Sequence, residues 1–398
     1  MTDALMPLYN RAALDVDRGE GVWLYGRDGR AYLDCVAGIA TNALGHAHPA
    51  LVAALTDQAQ RLWHVSNLFR IPQQQELGEL LVAHSFADQV FFCNSGTEAV
   101  EAAIKTARRH HYAAGHPERI DIIGFSGSFH GRTMAAINAS GNPTYLEGFG
   151  PRLPGFVQVS PDDAAAIAEA IARPTTAAVI IEPVQGEGGA RAFDGAFLQQ
   201  LRQWCDAAGV LLIYDEVQCG MGRTGRLFAH QWFDGAAPDI MAIAKALGGG
   251  FPVGACLATA RAASGMAAGA HGTTFGGNPL AMAVALTAAR LLAAEATLAH
   301  ARAVSAHLFD GLATLATAYP DVVKDVRGKG LLIGVQMGPN NREVMAIARD
   351  HGLLVAGGGE NCIRLLPPLT MTLAEADEVL TRLDTTLADV RVRLAVAA

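Results

Sequence analysis

Few residues in this sequence could act as an amine nucleophile. The chain holds 30 lysines plus arginines, and only four of them are lysines, at positions 105, 245, 324 and 329. Arginine keeps its proton and cannot form a Schiff base. Lys105 lies in a pattern typical of a solvated helix face, and residues 324–329 predict a polar turn. Lys245 ends an apolar, strand-like run and is followed by three glycines, so burial there would lower the pKa of its amine. A surface lysine at a strand end explains this segment equally well.

Two further groups follow predicted strands. Ser95, Gly96 and Thr97 stand between a strand and a helix, where backbone N–H groups and hydroxyls can bind a single phosphate. An ordinary helix N-cap explains them as well. Asp215 ends the most apolar strand, and open parallel sheets bind ligands at that end. A carboxylate there can keep a heteroaromatic nitrogen protonated. Metal binding by Asp215 with Glu216 is disfavoured, because neighbouring strand residues point to opposite faces.

Three more segments contribute candidate side chains. Phe129 and Arg132 share a glycine-containing loop, and the motif from Glu182 to Glu187 follows another strand. Arg364 is flanked by apolar residues, so it needs a carboxylate partner, either internal or from a substrate. A phosphate site, a carboxylate for a pyridinium nitrogen, an aromatic ring and a buried lysine are together what pyridoxal 5′-phosphate requires. We therefore predict this cofactor from the residues themselves.

Composition excludes several other classes of function. The net charge of −8 argues against non-specific nucleic-acid binding. None of the six cysteines is in a Cys-x-x-Cys pair, which predicts reduced core thiols. His46 and His48 lie two apart in a loop without matching ligands, so we predict no metal site. The first residues lack a basic region followed by an apolar core, and the apolar stretch at 281–294 is too short to span a membrane. We expect a cytoplasmic protein.

The pattern of strands and helices predicts an α/β fold. Buried runs at 90–93, 121–125, 178–181, 210–214 and 240–243 are separated by helical patterns. This predicts a mainly parallel sheet with helices on both faces, in a large domain at residues 50–285. A hairpin around Asp28-Gly29 and an α+β tail predict a second, smaller domain. Residues 1–49 would be its N-terminal segment, and residues 286–398 would supply linker helices and its C-terminal part.

Nine motifs resemble those of a known family over most of the chain, from Tyr9 to about Thr372. They are GIATNALGHAHP (38–49), SNLF (66–69), NSGTEA (94–99), FHGRT (129–133), EPVQGE (182–187), DEVQCGMGRTG (215–225), AKALGGG (244–250), HGTTFGGNP (271–279) and IRLLPPL (363–369). The sequence resembles the class III (ω-amino) aminotransferases of fold type I, which use pyridoxal 5′-phosphate, and among them the acetylornithine aminotransferases. The motifs are very specific for the class and less so for the substrate.

The resemblance implies a role for each candidate residue. Lys245 would bind the cofactor covalently and move the proton, and Asp215 would pair with the pyridine nitrogen. Further cofactor contacts are implied at Gly96 and Thr97 for the phosphate, beside Ser95, at Phe129 for ring stacking, at Gln218 for the ring hydroxyl, and at Thr274 for the phosphate of the neighbouring subunit. Substrate contacts are implied at Arg132 with Tyr9 for the donor carboxylate, at Arg364 for the α-carboxylate of glutamate or 2-oxoglutarate, and at Glu187 as a switch that masks Arg364.

The activity that the resemblance implies is a transamination by a homodimer. The δ-amine of N2-acetyl-L-ornithine would pass to 2-oxoglutarate, giving N-acetyl-L-glutamate 5-semialdehyde and L-glutamate in arginine biosynthesis. Ile39 stands where ornithine aminotransferases carry a tyrosine, and an apolar residue suits an acylated donor. Succinylornithine, ornithine and 4-aminobutyrate remain alternative donors. Other classes also remain open, namely an aminomutase, which Arg364 with Glu187 disfavours, a decarboxylase, and a non-catalytic cofactor-binding regulator.

Overall fold

Strands and helices alternate along most of the chain in the computed structural model, which describes residues 4–397. The strands are Val16–Glu20 (β1), Trp23–Gly26 (β2), Ala31–Asp34 (β3), Gln89–Cys93 (β4), Asp121–Phe125 (β5), Phe156–Val159 (β6), Thr176–Ile181 (β7), Val184–Gln185 (β8), Arg191–Ala192 (β9), Leu211–Asp215 (β10), Ile240–Ile243 (β11), Gly254–Ala258 (β12), Val323–Lys329 (β13), Leu332–Met337 (β14), Leu353–Leu354 (β15), Ala356–Gly358 (β16) and Cys362–Leu365 (β17). The helices are Pro49–Ala59, Pro72–Ala83, Gly96–Ala113, Met134–Ser140, Pro143–Leu146, Ala164–Ala172, Gly195–Ala208, Ala260–Ala263, Pro279–Ala293, Glu295–Ala318, Asn341–Asp350 and Leu373–Ala397. Short 3₁₀ turns occupy Ala229–Trp232 and Lys245–Gly248.

Seven strands form the central sheet, in the order β4-β12-β11-β10-β7-β5-β6. β10 pairs in parallel with β7 and β11, and β5 pairs in parallel with β6 and β7. Only β12 runs antiparallel to its neighbours β11 and β4. The predicted mainly parallel sheet is therefore confirmed, although the sequence analysis lacks β6 and β12. The residues of β12, Gly-Ala-Cys-Leu-Ala, include no β-branched side chain, so the local signal for a strand is weak.

Alternate residues of β10 belong to two apolar layers on opposite faces of the sheet. Leu211 and Ile213 pack with the helix Gly96–Ala113, whereas Leu212 and Tyr214 pack with the helices on the other side. All five residues of β10 are buried. Each fully buried leucine or isoleucine contributes about 1.5–3 kcal/mol, so this strand is a rigid base for Asp215 at its end. The prediction of helices on both faces is confirmed.

Smaller sheets combine segments from the two ends of the chain. β15 pairs in parallel with β3, with Leu353 opposite Leu33, so the predicted N-terminal hairpin shares a sheet with the C-terminal segment. A second sheet has the order β13-β14-β17-β16. This pairing supports the predicted division at 1–49, 50–285 and 286–398, which stays a prediction.

One local prediction is wrong. The sequence analysis predicts a polar turn across residues 324–329, but Val323–Lys329 is a strand that pairs antiparallel with β14. The turn comes one residue later, at Gly330, which has a positive φ of 62°. A charged strand at a sheet edge carries the same residue types as a turn, so composition alone could not separate them.

The helices Pro279–Ala293 and Glu295–Ala318 meet at Ala294 with a bend of 65°. The first is largely buried against the main apolar cluster, as its sequence predicts. Among residues 4–397 no single helix is long and apolar enough to cross a membrane, and this bent pair meets that criterion only jointly, by length and composition.

Candidate active site

A cavity of about 420 Å³ lies at the carboxyl ends of the parallel strands. Its walls include a residue at or just after the end of each of three neighbouring strands. These are Glu182 after β7, Asp215 at the end of β10, and Lys245 two residues after β11. The sequence-predicted residues Ser95, Gly96, Thr97, Phe129, Arg132 and Gln218 also line it. The fold therefore assembles most of the predicted site in one place, at the end of the sheet where α/β folds bind ligands.

Lys245 has an unusual backbone conformation and an amine with a lowered pKa. It opens the 3₁₀ turn after β11 with a positive φ of 45°, a conformation uncommon for a residue with a side chain and typical of functional positions. Burial, and next the positive charge of Arg364, lower the pKa of its amine from 10.5 to about 8. The amine is therefore partly neutral near physiological pH, and the neutral form is the nucleophile.

Asp215 is held by two donors. Its Oδ2 lies 2.8 Å from Nδ1 of His130, and its Oδ1 accepts from the backbone N–H of Val217 at 3.0 Å. Burial disfavours a charge on His130, but the hydrogen bond and the negative charge of Asp215 outweigh it and raise the His130 pKa. The other ring nitrogen of His130, Nε2, is buried and has no partner among the described residues. Sequence reasoning missed His130, although it follows Phe129 within a motif.

Glu216 faces away from the cavity. Its carboxylate accepts from the backbone N–H groups of Ala229 and His230, the latter at 2.8 Å, and lies 3.1 Å from Nδ1 of His230. The predicted opposite orientation of the Asp215 and Glu216 carboxylates is confirmed. No group of three or more histidine, cysteine, aspartate or glutamate side chains within residues 4–397 is arranged to hold a metal.

The start of the helix Gly96–Ala113 combines an N-cap with an open backbone. Ser95 Oγ accepts from the N–H of Glu98 at 3.3 Å, so the ordinary cap is present. A Cβ at Gly96 would lie 2.7 Å from Val217 Cγ1, so only glycine fits between the helix start and this wall. The first N–H groups of a helix lack partners within the helix and carry a partial positive charge. The position therefore suits an anion.

The hydroxyl of Thr97 is engaged elsewhere in this structure. Thr133 donates its only hydroxyl proton to Glu101 at 2.6 Å, and Thr97 Oγ1 lies 3.1 Å from Thr133 Oγ1. Thr97 is therefore the donor to Thr133. With the Thr97 hydroxyl engaged, the backbone N–H groups and the Ser95 hydroxyl, which serves only as an acceptor in the cap, are the donors that this helix start offers an anion. The resemblance implied the Thr97 hydroxyl as well.

An aromatic and cationic group forms the outer part of the site. The rings of Phe129 and Tyr145 meet edge to face, with centroids 5.7 Å apart. The guanidinium carbon of Arg132 lies 3.9 Å from the Tyr145 ring centroid and 5.5 Å from that of Phe129. Arg132 is exposed, so its charge remains available to a carboxylate. Tyr145 lies on the short helix Pro143–Leu146, and no motif in the sequence predicted it.

Arg364 already has an internal carboxylate partner. Its Nη2 lies 2.6 Å from Glu187 Oε1, Nη1 donates to Gln218 Oε1 at 3.2 Å, and Nε donates to the Gly357 carbonyl at 2.9 Å. The Arg364 side chain is 2% exposed, whereas that of Glu187 is 33% exposed. Of the two partners that the sequence left open, this structure has the internal one. The asymmetry in burial means that Glu187 can leave more easily than Arg364.

Five predicted residues do not line this cavity. Two of them are Arg364 and Glu187, of which Arg364 donates to the lining residue Gln218. The other three are Tyr9, Thr274 and Ile39. Tyr9 is 71% exposed, and Thr274 lies exposed in the loop before Pro279. Ile39 is half-buried within a left-handed turn in which Ala37, Ile39 and Ala40 all have φ between 46° and 63°. Such a run is strained for residues with side chains, and no sequence signal predicted it.

His46, the first histidine of the pair in the N-terminal loop, has a structural contact. His46 Nε2 lies 2.8 Å from Asp34 Oδ2, and the other oxygen of Asp34 accepts from the N–H groups of Val36 and Ala37. Asp34 thereby holds the entrance to the left-handed turn. His46 thus has a carboxylate partner within the protein.

Comparisons with known proteins agree over nearly the whole chain. The Aminotransferase class-III family matches residues 7–387. The acetylornithine aminotransferase 2 of Caulobacter vibrioides is 63% identical over 96% of this chain and 94% of its own. The acetylornithine aminotransferase of Mesorhizobium japonicum is 57% identical over 96% of this chain and 95% of its own.

Solved structures show the same fold. The crystal structure of N-acetylornithine aminotransferase from Stenotrophomonas maltophilia has a TM-score of 0.85 and 39% identity, covering 97% of this chain and 98% of its own. The ornithine aminotransferase of Toxoplasma gondii has a TM-score of 0.93 and 31% identity, covering 98% and 94%.

Proposed function

Because this chain belongs to the class III aminotransferases, we propose that it transfers the δ-amine of N2-acetyl-L-ornithine to 2-oxoglutarate with pyridoxal 5′-phosphate as cofactor. The products are N-acetyl-L-glutamate 5-semialdehyde and L-glutamate. The observation that carries the proposal is the cavity that joins Lys245, whose amine has a lowered pKa, to Asp215. The Arg364–Glu187 pair adjoins this cavity, because Arg364 donates to Gln218, which lines it. The names of the relatives at 63% and 57% identity support the choice of donor.

The donor groups around the cavity fit this cofactor. The glycine at position 96 leaves the helix start open to a phosphate, and Asp215 is fixed by His130 and Val217 at the other end of the site. When bound, pyridoxal phosphate supplies an electron sink for the carbon that carries the migrating amine. The residues that would hold it are Ser95, Gly96, Thr97, Phe129, Asp215, Gln218 and Lys245.

Lys245 and Asp215 are the catalytic residues in this proposal. Lys245 would hold the cofactor through its neutral amine and, when that amine is free, would move a proton from the donor's terminal carbon. Asp215 keeps the ring nitrogen protonated, and His130 prevents the carboxylate from turning away.

The arginines separate the two substrates. Exposed Arg132, next to Tyr145, binds the α-carboxylate of the acylated donor, with Tyr9 as a further contact. Glu187 covers Arg364 while the donor is bound and moves aside for 2-oxoglutarate, whose α-carboxylate pairs with Arg364. Ile39 favours an acylated donor because it offers no partner for a free α-amine.

The site is completed by a second copy of the chain in this proposal. Thr274 lies outside its own cavity and would reach the phosphate site of a partner. Four large apolar side chains are exposed in the neighbouring loops, namely Trp63, Leu68, Phe69 and Phe275. Asn67 donates to the Gly276 carbonyl at 3.0 Å, which joins these loops. An apolar surface of this kind supports a homodimer.

A half-reaction without acceptor tests the donor. We would mix the cofactor-loaded enzyme separately with N-acetylornithine, N-succinylornithine, ornithine and 4-aminobutyrate and follow the loss of its visible absorbance. We expect fast loss with N-acetylornithine and slow loss with ornithine. Faster loss with ornithine would keep the class and overturn the donor. Release of carbon dioxide from a 2-aminoisobutyrate-like donor would favour a decarboxylase.

The pKa of Lys245 predicts how cofactor attachment depends on pH. The protonated amine, which cannot attack, predominates below about pH 8 and the neutral amine predominates above it, because the pKa is about 8 instead of 10.5. The rate at which the apo-enzyme attaches pyridoxal phosphate should therefore rise with pH and level off above about 8. Rapid-mixing absorbance across the range would check this. A midpoint near 10.5, the ordinary value, would contradict it.

A further inference from the structure

Glu182 is a buried carboxylate of the cavity wall that the proposed chemistry does not use. It directly follows β7 and is 4% exposed. Its Oε1 accepts from the backbone N–H of Phe129 at 2.8 Å, and its Oε2 accepts from the backbone N–H of Gly186 at 3.0 Å. A carboxylate with one backbone donor on each oxygen is firmly oriented.

The two backbone N–H groups that Glu182 accepts from, those of Phe129 and Gly186, belong to different loops with different roles at the site. Phe129 begins the loop that places its own ring and Arg132 at the site. Gly186 precedes Glu187, which covers Arg364. Gly186 is tightly confined, because a Cβ there would lie 2.2 Å from Gln218 Oε1. One side chain therefore joins the loop of the cofactor's aromatic neighbour to the loop that controls access to Arg364.

The charged groups around Glu182 make its two hydrogen bonds sensitive to protonation of the carboxylate. Burial, and next the negative charge of Asp215, raise the pKa of Glu182 from 4.5 to about 7, while His130 and the two N–H donors lower it. Protonation would turn one carboxylate oxygen into a hydroxyl, which is a weaker acceptor, so one of the two hydrogen bonds would weaken.

We propose that Glu182 is a positioning residue that couples the Phe129 loop, which contacts the cofactor ring, to the Glu187–Arg364 ion pair. One oxygen of its carboxylate holds the backbone of Phe129, and the other holds the backbone of Gly186. This inference rests on the proposed function, which assigns Phe129 to the cofactor ring and Arg364 to 2-oxoglutarate. Loss of Glu182 then loosens both loops. Cofactor binding weakens, because the Phe129 ring is no longer fixed, while Arg364 becomes easier to reach, because Glu187 is held less firmly over it.

The test measures two affinities instead of turnover. Dissociation constants of pyridoxal phosphate by equilibrium dialysis, and of glutarate by spectral titration of the loaded enzyme, are compared between wild type and Glu182→Ala. We expect the first to rise roughly tenfold, the effect of one lost hydrogen bond to a charged group, and the second to fall several-fold. Glu182→Gln keeps one acceptor oxygen, so we expect only one of the two dissociation constants to shift. This variant serves as the test if the alanine variant does not fold.

Three controls separate coupling from a general loss of structure. Phe129→Leu should change only the cofactor affinity, and Glu187→Gln only the glutarate affinity. Glu216→Gln is the matched control, since Glu216 is also buried, follows a strand of the same sheet and accepts from two backbone N–H groups, but on the other side. It should lower the melting temperature without shifting either affinity.

The outcomes are distinct. Unchanged affinities in both Glu182 variants, or parallel losses of both affinities with the melting temperature, would overturn the inference. If the wild type binds both ligands but takes an amine from none of the four donors, the proposed function fails, and the Glu182 shifts still decide the coupling.

Discussion

Replacing Lys245 with alanine is expected to abolish turnover while pyridoxal 5′-phosphate still binds. Lys245 would act both as the nucleophile that attaches the cofactor and as the base that moves the proton, and it is the only one of the four lysines that lines the cavity. Loss of both tasks should lower kcat by at least about 10⁴-fold. The non-covalent contacts at the helix start, at Phe129 and at Asp215 remain, so the cofactor should still be retained.

The measurement combines steady-state activity with the absorbance of the dialysed protein. Lys245→Ala should lose the absorbance band of the lysine-attached cofactor while it retains the cofactor as the free aldehyde, and adding donor should give no turnover. Lys324→Ala is the control, since this lysine is exposed and its amine donates to the Pro320 carbonyl, away from the cavity, and it should behave as the wild type. Residual turnover above about one per cent in the alanine variant would remove Lys245 from the mechanism.

Replacing Asp215 with asparagine should have the second largest effect. An uncharged amide cannot hold a ring nitrogen protonated, and it also weakens the hydrogen bond with His130, whose Nδ1 lies 2.8 Å from the carboxylate. We expect kcat to fall about 10²- to 10³-fold, in line with the loss of one preorganised charge. The pKa of His130 should fall as well, because the negative charge of Asp215 raises it.

Two readouts distinguish this effect from misfolding. Turnover is measured with saturating cofactor, and the His130 pKa is followed by nuclear magnetic resonance of the ring protons between about pH 5 and pH 8. Glu216→Gln removes a neighbouring buried carboxylate that faces away from the cavity, and it should leave the His130 pKa in place. If Asp215→Asn kept turnover within about twofold of wild type, the ring nitrogen would not need this carboxylate.

The residues around Lys245 and Asp215 were predictable because their signals are local. An apolar run followed by a polar residue indicates a buried strand and its end, and parallel strands end on the same edge of a sheet. Five of the seven central strands, the N-cap at Ser95 and the opposite orientation of Asp215 and Glu216 all follow from patterns within a few residues. The family motifs lie in the same loops.

The failures have equally local causes. β12 lacks branched side chains, and β13 is charged like a turn, so neither has a clear pattern. The left-handed turn at Ile39 depends on Asp34, whose bonds to Val36 and Ala37 cannot be anticipated from residue types.

By itself, the sequence determined the α/β class, the edge of the sheet where the site lies, and the residue types available there. Only the tertiary structure decided which of them meet. Arg364 pairs with Glu187 across 177 residues, His130 with Asp215 across 85, and Phe129 with Glu182 across 53. The physical reason is that strand and helix periods are set by neighbouring residues, whereas these bonds depend on how separate loops pack at one sheet edge and on how little water remains there.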